Sequence, residues 1–207
     1  MKEKGFFVCI EGLDGCGKTT QTRLLVEGLR RRHYNTVGTA EPSKGKIGRF
    51  IQKGFLHGEK RSSSVVEALL FAADRTEHVK REILPALEKG KQVVSDRYVY
   101  SSLAYQGATG LDLEWIRTLN KHAIIPDLAL FIDVEPTTAI KRLKEKRSVM
   151  ENLETQRKVR DVYLKFVASG GLLKIDGNGP KKDISKEILN AVLRLLENPS
   201  LRSLNHL

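Results

Sequence analysis

Residues 12–19, which read GLDGCGKT, form a motif whose chemistry is phosphate binding. The pattern G-x-x-x-x-G-K-[S/T] lets glycine backbone turn its N–H groups toward an anion. Lys18 then supplies a charge for the terminal phosphates of a nucleotide, and the hydroxyl of Thr19 can ligate magnesium. The nucleotide-binding residues predicted here are Gly12, Leu13, Asp14, Gly15, Cys16, Gly17, Lys18, Thr19 and Thr20.

The flanks of this motif are those that such a loop requires. An apolar run at 6–10 predicts a strand before it, and the amphipathic segment 19–32 predicts a helix after it. The positive end of that helix then faces the bound phosphates. Cys16 is interpreted as a small residue that fills the loop. A redox-sensor role is the weaker alternative, since helix N-termini lower the pKa of thiols.

Asp96 ends the apolar run QVVSD at 92–96, where a carboxylate can hold Mg²⁺, usually through water, opposite the loop. Asp96 alone is a weak signal, because many strands end in an acid. Together with Thr19 it predicts a magnesium site and phosphoryl chemistry on a nucleotide.

The segment DRYVYSSLAYQGA at 96–108 carries side chains suited to a second substrate. Arg97 places a guanidinium fork beside Asp96, where it can bind a phosphate through two hydrogen bonds. Polar side chains then follow at about one-turn spacing and can contact a base edge and a sugar. They are Ser101, Ser102, Tyr105 and Gln106. The alternative for Tyr105 is a core residue whose hydroxyl is tied to the backbone.

Phe71 and Arg75 are four residues apart on a predicted helix and therefore share one face. A ring that stacks on a base and a guanidinium that donates to its carbonyl would suit a pyrimidine. Phe71 as a plain core residue is the alternative. Ser64 and Glu67 predict a capping box at the start of this helix. Its apolar stripe consists of Val66, Leu69, Leu70, Ala73 and Val79.

Five short apolar runs, separated by helical segments, must position these side chains. They lie at 6–10, 35–40, 92–95, 128–132 and 172–175. Such alternation is typical of one α/β domain with a parallel sheet buried on both faces. An acid follows each run: Glu11, Glu41, Asp96, Asp133 and Asp176. Ligands bind outside the carboxyl ends of parallel strands, so we expect these acids to converge there, with Asp133 and Asp176 the most plausible turn formers.

The composition of the 207 residues bounds the function further. An apolar fraction of 40% with 29% charged residues is typical of a globular protein, and excludes disordered and fibrous classes. The net charge of +11 indicates a polyanionic substrate or partner, although runs such as 141–147 also suit a solvated helix. The sequence shows neither a membrane span nor a signal peptide, so we expect a cytoplasmic location. Cys9 and Cys16 fit neither a disulfide framework nor a metal site.

Taken together, these motifs resemble the thymidylate kinase family of nucleoside monophosphate kinases. The residues that carry the resemblance lie at 11–21, 41–42, 69–78, 96–107, 131–136 and 151–154. It covers about residues 5–195. It implies transfer of the ATP γ-phosphoryl to dTMP with Mg²⁺, and a homodimer. The implied fold is a three-layer phosphate-loop NTPase fold with a five-stranded parallel sheet and a helical lid at about 143–153. We expect a single domain over 1–197 and a tail at 198–207.

The resemblance also implies roles for the residues of the base site. Phe71 would stack on thymine, Arg75 would donate to a base carbonyl, and Ser102 and Gln106 would contact the base region. Tyr105 would crowd a ribose 2′-hydroxyl and so favour deoxyribose.

Other residues would surround the phosphates and the sugar. Arg97 would clamp the acceptor phosphate, whereas Asp14 or Glu11 would contact the 3′-hydroxyl or the magnesium shell. The same substrate shell is predicted to include Glu41 and Ser101.

The family supplies a transition-state arginine either from the phosphate loop or from the lid. This loop has no arginine, so the lid residue Arg147 is the candidate and Arg142 would assist. Two departures concern the acceptor phosphate: residues 40–44 read AEPSK where many relatives read REPGG, and Gln52 replaces an expected arginine. Arg49, on the same helical face, could take over that contact.

Two other functions remain open from the sequence. One is a kinase for another pyrimidine nucleotide such as dUMP, because a thymine methyl group leaves little trace in sequence. The other is a nucleic-acid-binding protein regulated by nucleotide, which the +11 charge motivates. The sequence shows no nucleic-acid module, and its aromatic residues are not interleaved with basic runs. We therefore expect ATP and dTMP as substrates and neither nucleic acid nor membrane as a partner.

Overall fold

The computed structural model describes residues 5–54, 63–143 and 152–198. The strands are β1 (Phe7–Gly12), β2 (Thr36–Ala40), β3 (Gln92–Asp96), β4 (Leu128–Asp133) and β5 (Leu173–Asp176). The helices are α1 (Lys18–Arg30), α2 (Lys46–Gly54), α3 (Ser64–His78), α4 (Leu84–Glu88), α5 (Val99–Gly107), α6 (Leu113–Leu119), α7 (Pro136–Arg142), α8 (Leu153–Ala168) and α9 (Lys181–Glu197). A π-helical segment, Val79–Ile83, joins α3 to α4.

The strands form one parallel sheet in the order β2-β3-β1-β4-β5. Helices cover both faces of the sheet, so β1 and β4 are buried along their whole length. Apolar runs buried on two sides are what parallel strands require. The predicted fold class and the five predicted strands are confirmed, with boundaries shifted by one or two residues.

The connection that leaves β1 runs toward β2, whereas the connection that leaves its neighbour β3 runs the opposite way, toward β4. In open parallel sheets, the crevice at such a point receives the ligand. The loop after β1 and the residues that follow β3 therefore meet at this edge.

For helix α3, the sequence pattern correctly predicted a helix but not which of its faces is buried. The capping prediction was wrong by one residue, since Ser63 is the N-cap and its side chain accepts from Val65 N at 3.2 Å. Of the predicted apolar stripe, Val79 is buried in the core, but Val66 and Leu69 are 40% and 47% exposed. The buried face of α3 combines Ala68 and Ala72 with four polar residues, Glu67, Asp74, Arg75 and His78.

Most of the predicted lid, including Arg147, lies outside the described residues, as does the tail beyond Asn198. The domain boundaries therefore stay a prediction. Among the helices that the structure describes, none is long and apolar enough to cross a membrane.

Candidate functional site

The phosphate loop, residues 12–20, connects β1 to α1 and folds around its glycines. Gly15 and Gly17 have φ values of +83° and +100°, which side chains rarely adopt. At Gly15 a Cβ would also collide with the carbonyl of Ala139. Since α1 begins at Lys18, its unpaired N–H groups and the positive end of its dipole face the loop. The loop therefore has the shape and charge of an anion site.

Lys18 is buried, and its ammonium lies within its own loop. Nζ donates to the carbonyls of Gly12 at 3.0 Å and Leu13 at 2.6 Å. Those carbonyls satisfy two of the three donors of the buried ammonium. The charge of Lys18 is thereby held inside the loop, where the phosphates of a nucleotide would lie.

Thr19 and Asp96 lie together, as the sequence predicted. The Thr19 hydroxyl donates to Asp96 Oδ2 at 2.6 Å, whereas Asp96 Oδ1 is buried with no hydrogen-bond partner among the described residues. Hard oxygen atoms of this kind suit Mg²⁺. Over residues 5–54, 63–143 and 152–198 there is no cluster of three or more His, Cys, Asp or Glu side chains that could hold a metal alone. A magnesium ion here would complete its shell with phosphate oxygens and water.

Arg97 follows β3 and joins the two sides of the crevice. Its guanidinium pairs with the carboxylate of Asp14 in the phosphate loop and lies 5.1 Å from the ring centre of Tyr105. Tyr105 also donates to Asp14 Oδ2 at 2.8 Å. The backbone of Arg97 has φ +71°, a strained conformation of the kind found at functional sites. Arg97, Asp14 and Tyr105 thus form one hydrogen-bonded unit.

The electrostatics of Asp14 follow from that unit. Burial by itself raises the pKa of Asp14, but the charges of Arg97 and Lys18 and the hydrogen bond from Tyr105 outweigh it and hold the pKa below its ordinary value. Asp14 is therefore ionised at neutral pH and balances the cations of the loop.

Glu11 lies behind this unit and is fully buried. It accepts from Tyr98 N at 2.8 Å, Ser101 Oγ at 2.6 Å and the Tyr163 hydroxyl at 3.0 Å. Burial raises its pKa to about 7 despite these donors and the charge of Arg97. Glu11 was predicted to contact substrate, whereas in the structure its carboxylate accepts hydrogen bonds from the protein itself.

Arg75 is 2% exposed and held by four hydrogen bonds. One terminal nitrogen donates to Ser102 Oγ at 3.2 Å and to Asn120 Oδ1. The other donates to Glu41 Oε2 at 2.6 Å and to the Tyr98 carbonyl at 3.1 Å. We call these residues, with His78, the Arg75 network.

Among the buried atoms that lack hydrogen-bond partners in the described part of the chain, two belong to side chains that were predicted to contact the base. They are the donor Nε of Arg75 and the acceptor Oε1 of Gln106. Gln106 lies one helical turn after Ser102 on α5, so the two side chains share a face. Phe71, one turn before Arg75 on α3, is only half-buried. A free donor, a free acceptor and an available ring are what recognition of a base requires.

Glu41 was predicted to contact substrate, and the structure shows its partners within the protein. It accepts from Arg75 and lies 3.1 Å from His78 Nδ1. His78 Nε2 is in turn 2.7 Å from the Thr39 hydroxyl. Glu41 therefore holds Arg75 in place.

Arg49, the predicted replacement for the missing arginine, and Gln52 both lie on α2. Gln52 donates to the carbonyl of Pro42 at 2.9 Å and so holds the loop after β2. Arg49 is exposed and lines a surface cavity of about 320 Å³ together with Lys44, Lys46 and Arg81. Arg49 as a phosphate contact stays a prediction.

The structure also bears on the sequence-based interpretations of Cys16, of the two acids that end β4 and β5, and of Arg142. Burial raises the pKa of Cys16, which argues against a redox-sensor role. Asp176 accepts from Asn178 N at 3.0 Å and so forms the turn that was predicted. Asp133 binds Arg160 through two hydrogen bonds instead. Arg142 is exposed and reaches the Gly177 carbonyl at 3.4 Å.

Sequence reasoning missed Asn120, His78 and Tyr163, which reach the site from α6, α3 and α8. His78 lies three residues after Arg75, so helical spacing could have placed it on the same face. Asn120 and Tyr163 carry no comparable signal, because only the tertiary fold brings them to Arg75 and Glu11.

Comparison with known proteins agrees with this geometry. The family model described as "Thymidylate kinase" matches residues 10–188. A "Probable thymidylate kinase" of Pyrococcus abyssi (strain GE5 / Orsay) is 50% identical over 79% of this chain and 83% of that protein. Proteins of the same description from Thermococcus gammatolerans and Pyrobaculum calidifontis are 42% and 41% identical over 91% and 92% of this chain, and 96% and 97% of their own lengths. A phosphate loop, a facing aspartate and an arginine-lined crevice, in a chain with these relatives, show that the protein belongs to the thymidylate kinase family.

Proposed function

We propose that the protein transfers the γ-phosphoryl group of ATP to dTMP, giving ADP and dTDP. The observation that carries this proposal is the pairing of a phosphate loop with two buried atoms, Arg75 Nε and Gln106 Oε1, for which the described residues provide no partner. The names of its relatives support the same activity.

In the reaction, a phosphate oxygen of dTMP attacks the γ-phosphorus of ATP, and the bond from that phosphorus to the β,γ-bridging oxygen breaks. The electron pair leaves with ADP. The protein positions the two substrates and neutralises their charge. Lys18 and the N–H groups at the start of α1 hold the ATP phosphates, and Arg97 holds the acceptor phosphate next to them.

Thr19 and Asp96 would hold Mg²⁺, which neutralises charge on the β- and γ-phosphates when bound. The unpartnered Asp96 Oδ1 supports this assignment, since a buried carboxylate oxygen without a donor is otherwise costly. Arg147 in the lid is proposed as the transition-state arginine, with Arg142 assisting.

Base selection follows from the two unpartnered atoms. Thymine presents its O4 carbonyl beside the N3–H group. Arg75 Nε can donate to O4, and Gln106 Oε1 can accept from N3–H. Cytosine has an amino group in place of that carbonyl and would leave the Arg75 donor buried without an acceptor. Phe71 would stack on the ring.

Sugar selection would fall to the unit of Asp14, Arg97 and Tyr105. The Tyr105 hydroxyl donates to Asp14 and accepts from Asp14 N at 3.1 Å, so its ring cannot easily move aside. A ribose 2′-hydroxyl would have to displace it, which favours deoxyribose.

We propose a homodimer formed through the exposed face of α3. Val66, Leu69 and Ala73 lie on one helical face and are exposed. A helix that buries its polar side and exposes its apolar side needs a partner there. A second copy would bring the same face to the same face.

The function is tested by ADP release with MgATP against dTMP, dUMP, dCMP, dGMP, UMP and AMP at matched concentrations. We expect dTMP to give the highest kcat/KM. Activity only on another monophosphate would overturn the base assignment, and no activity on any would overturn the proposed reaction.

A further inference from the structure

Asn120 caps the C-terminal end of α6 and connects that helix to Arg75. Its Nδ2 donates to the Ile116 carbonyl at 2.8 Å, and its Oδ1 accepts from Arg75. The bond to a carbonyl identifies the nitrogen end of the amide, so the oxygen end must face the guanidinium. Asn120 is buried, and hydrogen bonds hold both ends of its amide.

The Arg75 guanidinium has five N–H donors. Glu41 and the Tyr98 carbonyl take the two on one terminal nitrogen, and Ser102 and Asn120 take the two on the other. Only Nε–H is left without a partner among the described residues. The four bonds therefore decide where this remaining donor points.

We propose that Asn120 is a positioning residue that aims Arg75 Nε–H at the base of the acceptor nucleotide, an inference that rests on the proposed function. Glu41 and the Tyr98 carbonyl hold one terminal nitrogen, and the plane of the guanidinium is fixed only when the other terminal nitrogen is held as well. Of the two acceptors there, Asn120 is itself held by its bond to the Ile116 carbonyl, whereas Ser102 lies farther from Arg75, at 3.2 Å. Asn120 thereby sets base selection without touching the base.

The chain offers a matched control in Asn198, which is the C-cap of α9. Its Nδ2 donates to the Arg194 carbonyl at 3.1 Å, the same bond from the same position as in Asn120. Asn198→Leu therefore removes a C-cap hydrogen bond as Asn120→Leu does. Asn198 is exposed, so this variant controls for the lost cap hydrogen bond, and Asn120→Asp, which keeps an oxygen toward Arg75, controls for a change at the buried position.

The kinetic test is kcat/KM for dTMP and for dCMP. Asn120→Leu should lower the ratio of dTMP to dCMP roughly ten-fold, the effect of one misplaced hydrogen bond to a charged group, and should leave KM for ATP unchanged. Asn120→Asp keeps an oxygen toward Arg75 and should retain the ratio while losing thermal stability. Asn198→Leu should retain it too. An unchanged ratio in Asn120→Leu would overturn the proposal.

A second readout needs no substrate. The Nε–H resonance of Arg75, assigned by its loss in Arg75→Lys, should be one slowly exchanging signal in the free protein and in Asn198→Leu. In Asn120→Leu it should broaden and exchange faster, and an unchanged signal would contradict the positioning role. Failure of the wild-type protein to phosphorylate dTMP would refute the proposed function and leave this result readable.

Discussion

The phosphate loop and the Arg75 network lie at the same edge of the sheet but are built in opposite ways. The loop uses consecutive residues and backbone N–H groups, and its one cation, Lys18, rests on the carbonyls of Gly12 and Leu13. The network uses side chains from four separate parts of the fold, and of the donors of its cation, Arg75, Nε alone has no partner within the described part of the chain.

This difference indicates how each side treats its ligand. Lys18 donates to two carbonyls of its own loop, so we expect ATP binding to exchange hydrogen bonds to carbonyls for hydrogen bonds to phosphate oxygens. Arg75 is already fixed in direction, so the acceptor base meets a preorganised donor. Charge recognition tolerates rearrangement, whereas discrimination between bases depends on a fixed geometry.

Replacing Lys18 should have the largest effect. Lys18→Met removes the charge from the ATP phosphates and should lower kcat by about a thousand-fold or more. Steady-state ADP release with saturating MgATP and dTMP measures this. Lys158→Met, which breaks only an exposed ion pair with Glu154, is the control and should keep wild-type kcat. A loss below ten-fold would contradict the role of Lys18.

Arg97 joins the two regions, and replacing it should have the second largest effect on catalysis. Arg97→Ala removes the clamp on the acceptor phosphate and should lower kcat/KM for dTMP by about a hundred-fold. Arg23→Ala, which breaks an exposed pair with Glu27, is the control. Near-normal turnover in a folded Arg97→Ala protein would refute the assignment.

Glu11 should show its effect in stability. With its pKa raised to about 7, the folded state keeps a proton that the unfolded state releases above the ordinary glutamate pKa. The contribution of Glu11 to the free energy of unfolding is greatest below pH 4.5 and is lost as the pH rises through about 7. Between pH 5 and pH 8, Glu11→Gln should therefore gain about 1 to 3 kcal/mol relative to wild type in urea unfolding.

The control for Glu11 is Glu154→Gln. Lys158 holds the pKa of Glu154 below its ordinary value, so this variant should show no such gain between pH 5 and pH 8. Equal pH dependence of wild type and Glu11→Gln would contradict a raised pKa.

The exposed face of α3 should have the smallest effect on chemistry. Leu69→Glu places a charge on the proposed dimer surface without touching the Arg75 network. Sedimentation should show a dimer for wild type and a monomer for the variant. Lys182→Glu, an exposed change on α9, should stay dimeric. A dimer that survives Leu69→Glu would contradict this surface.

The elements that sequence predicted well are those whose residues are close along the chain. The phosphate loop lies between its strand and its helix, and Arg97 lies just before the helix α5 that carries Ser101 to Gln106, so local spacing sufficed. The partners of Arg75 could not be found in that way. Asn120 lies 45 residues from Arg75 and Glu41 lies 34 residues from it, and only the sheet order brings them together.

Helix α3 shows a second limit. Its apolar stripe predicted a helix correctly, but an apolar stripe is the same whether it faces a core or a partner. The polar side of α3 is buried because its side chains have partners there. Asp74 accepts from Ser43, and Arg75 and His78 both contact Glu41. Hydrophobic pattern alone could not show that orientation.

The most direct test is a crystal structure with dTMP and a non-hydrolysable ATP analogue. We predict that Arg75 keeps its bonds to Glu41, Ser102 and Asn120 while Nε gains a base carbonyl, and that Lys18 Nζ leaves the carbonyls of its own loop for phosphate oxygens. An Arg75 that releases Glu41 or Asn120 to reach the base, or a base bound away from Arg75, would contradict a preorganised acceptor site.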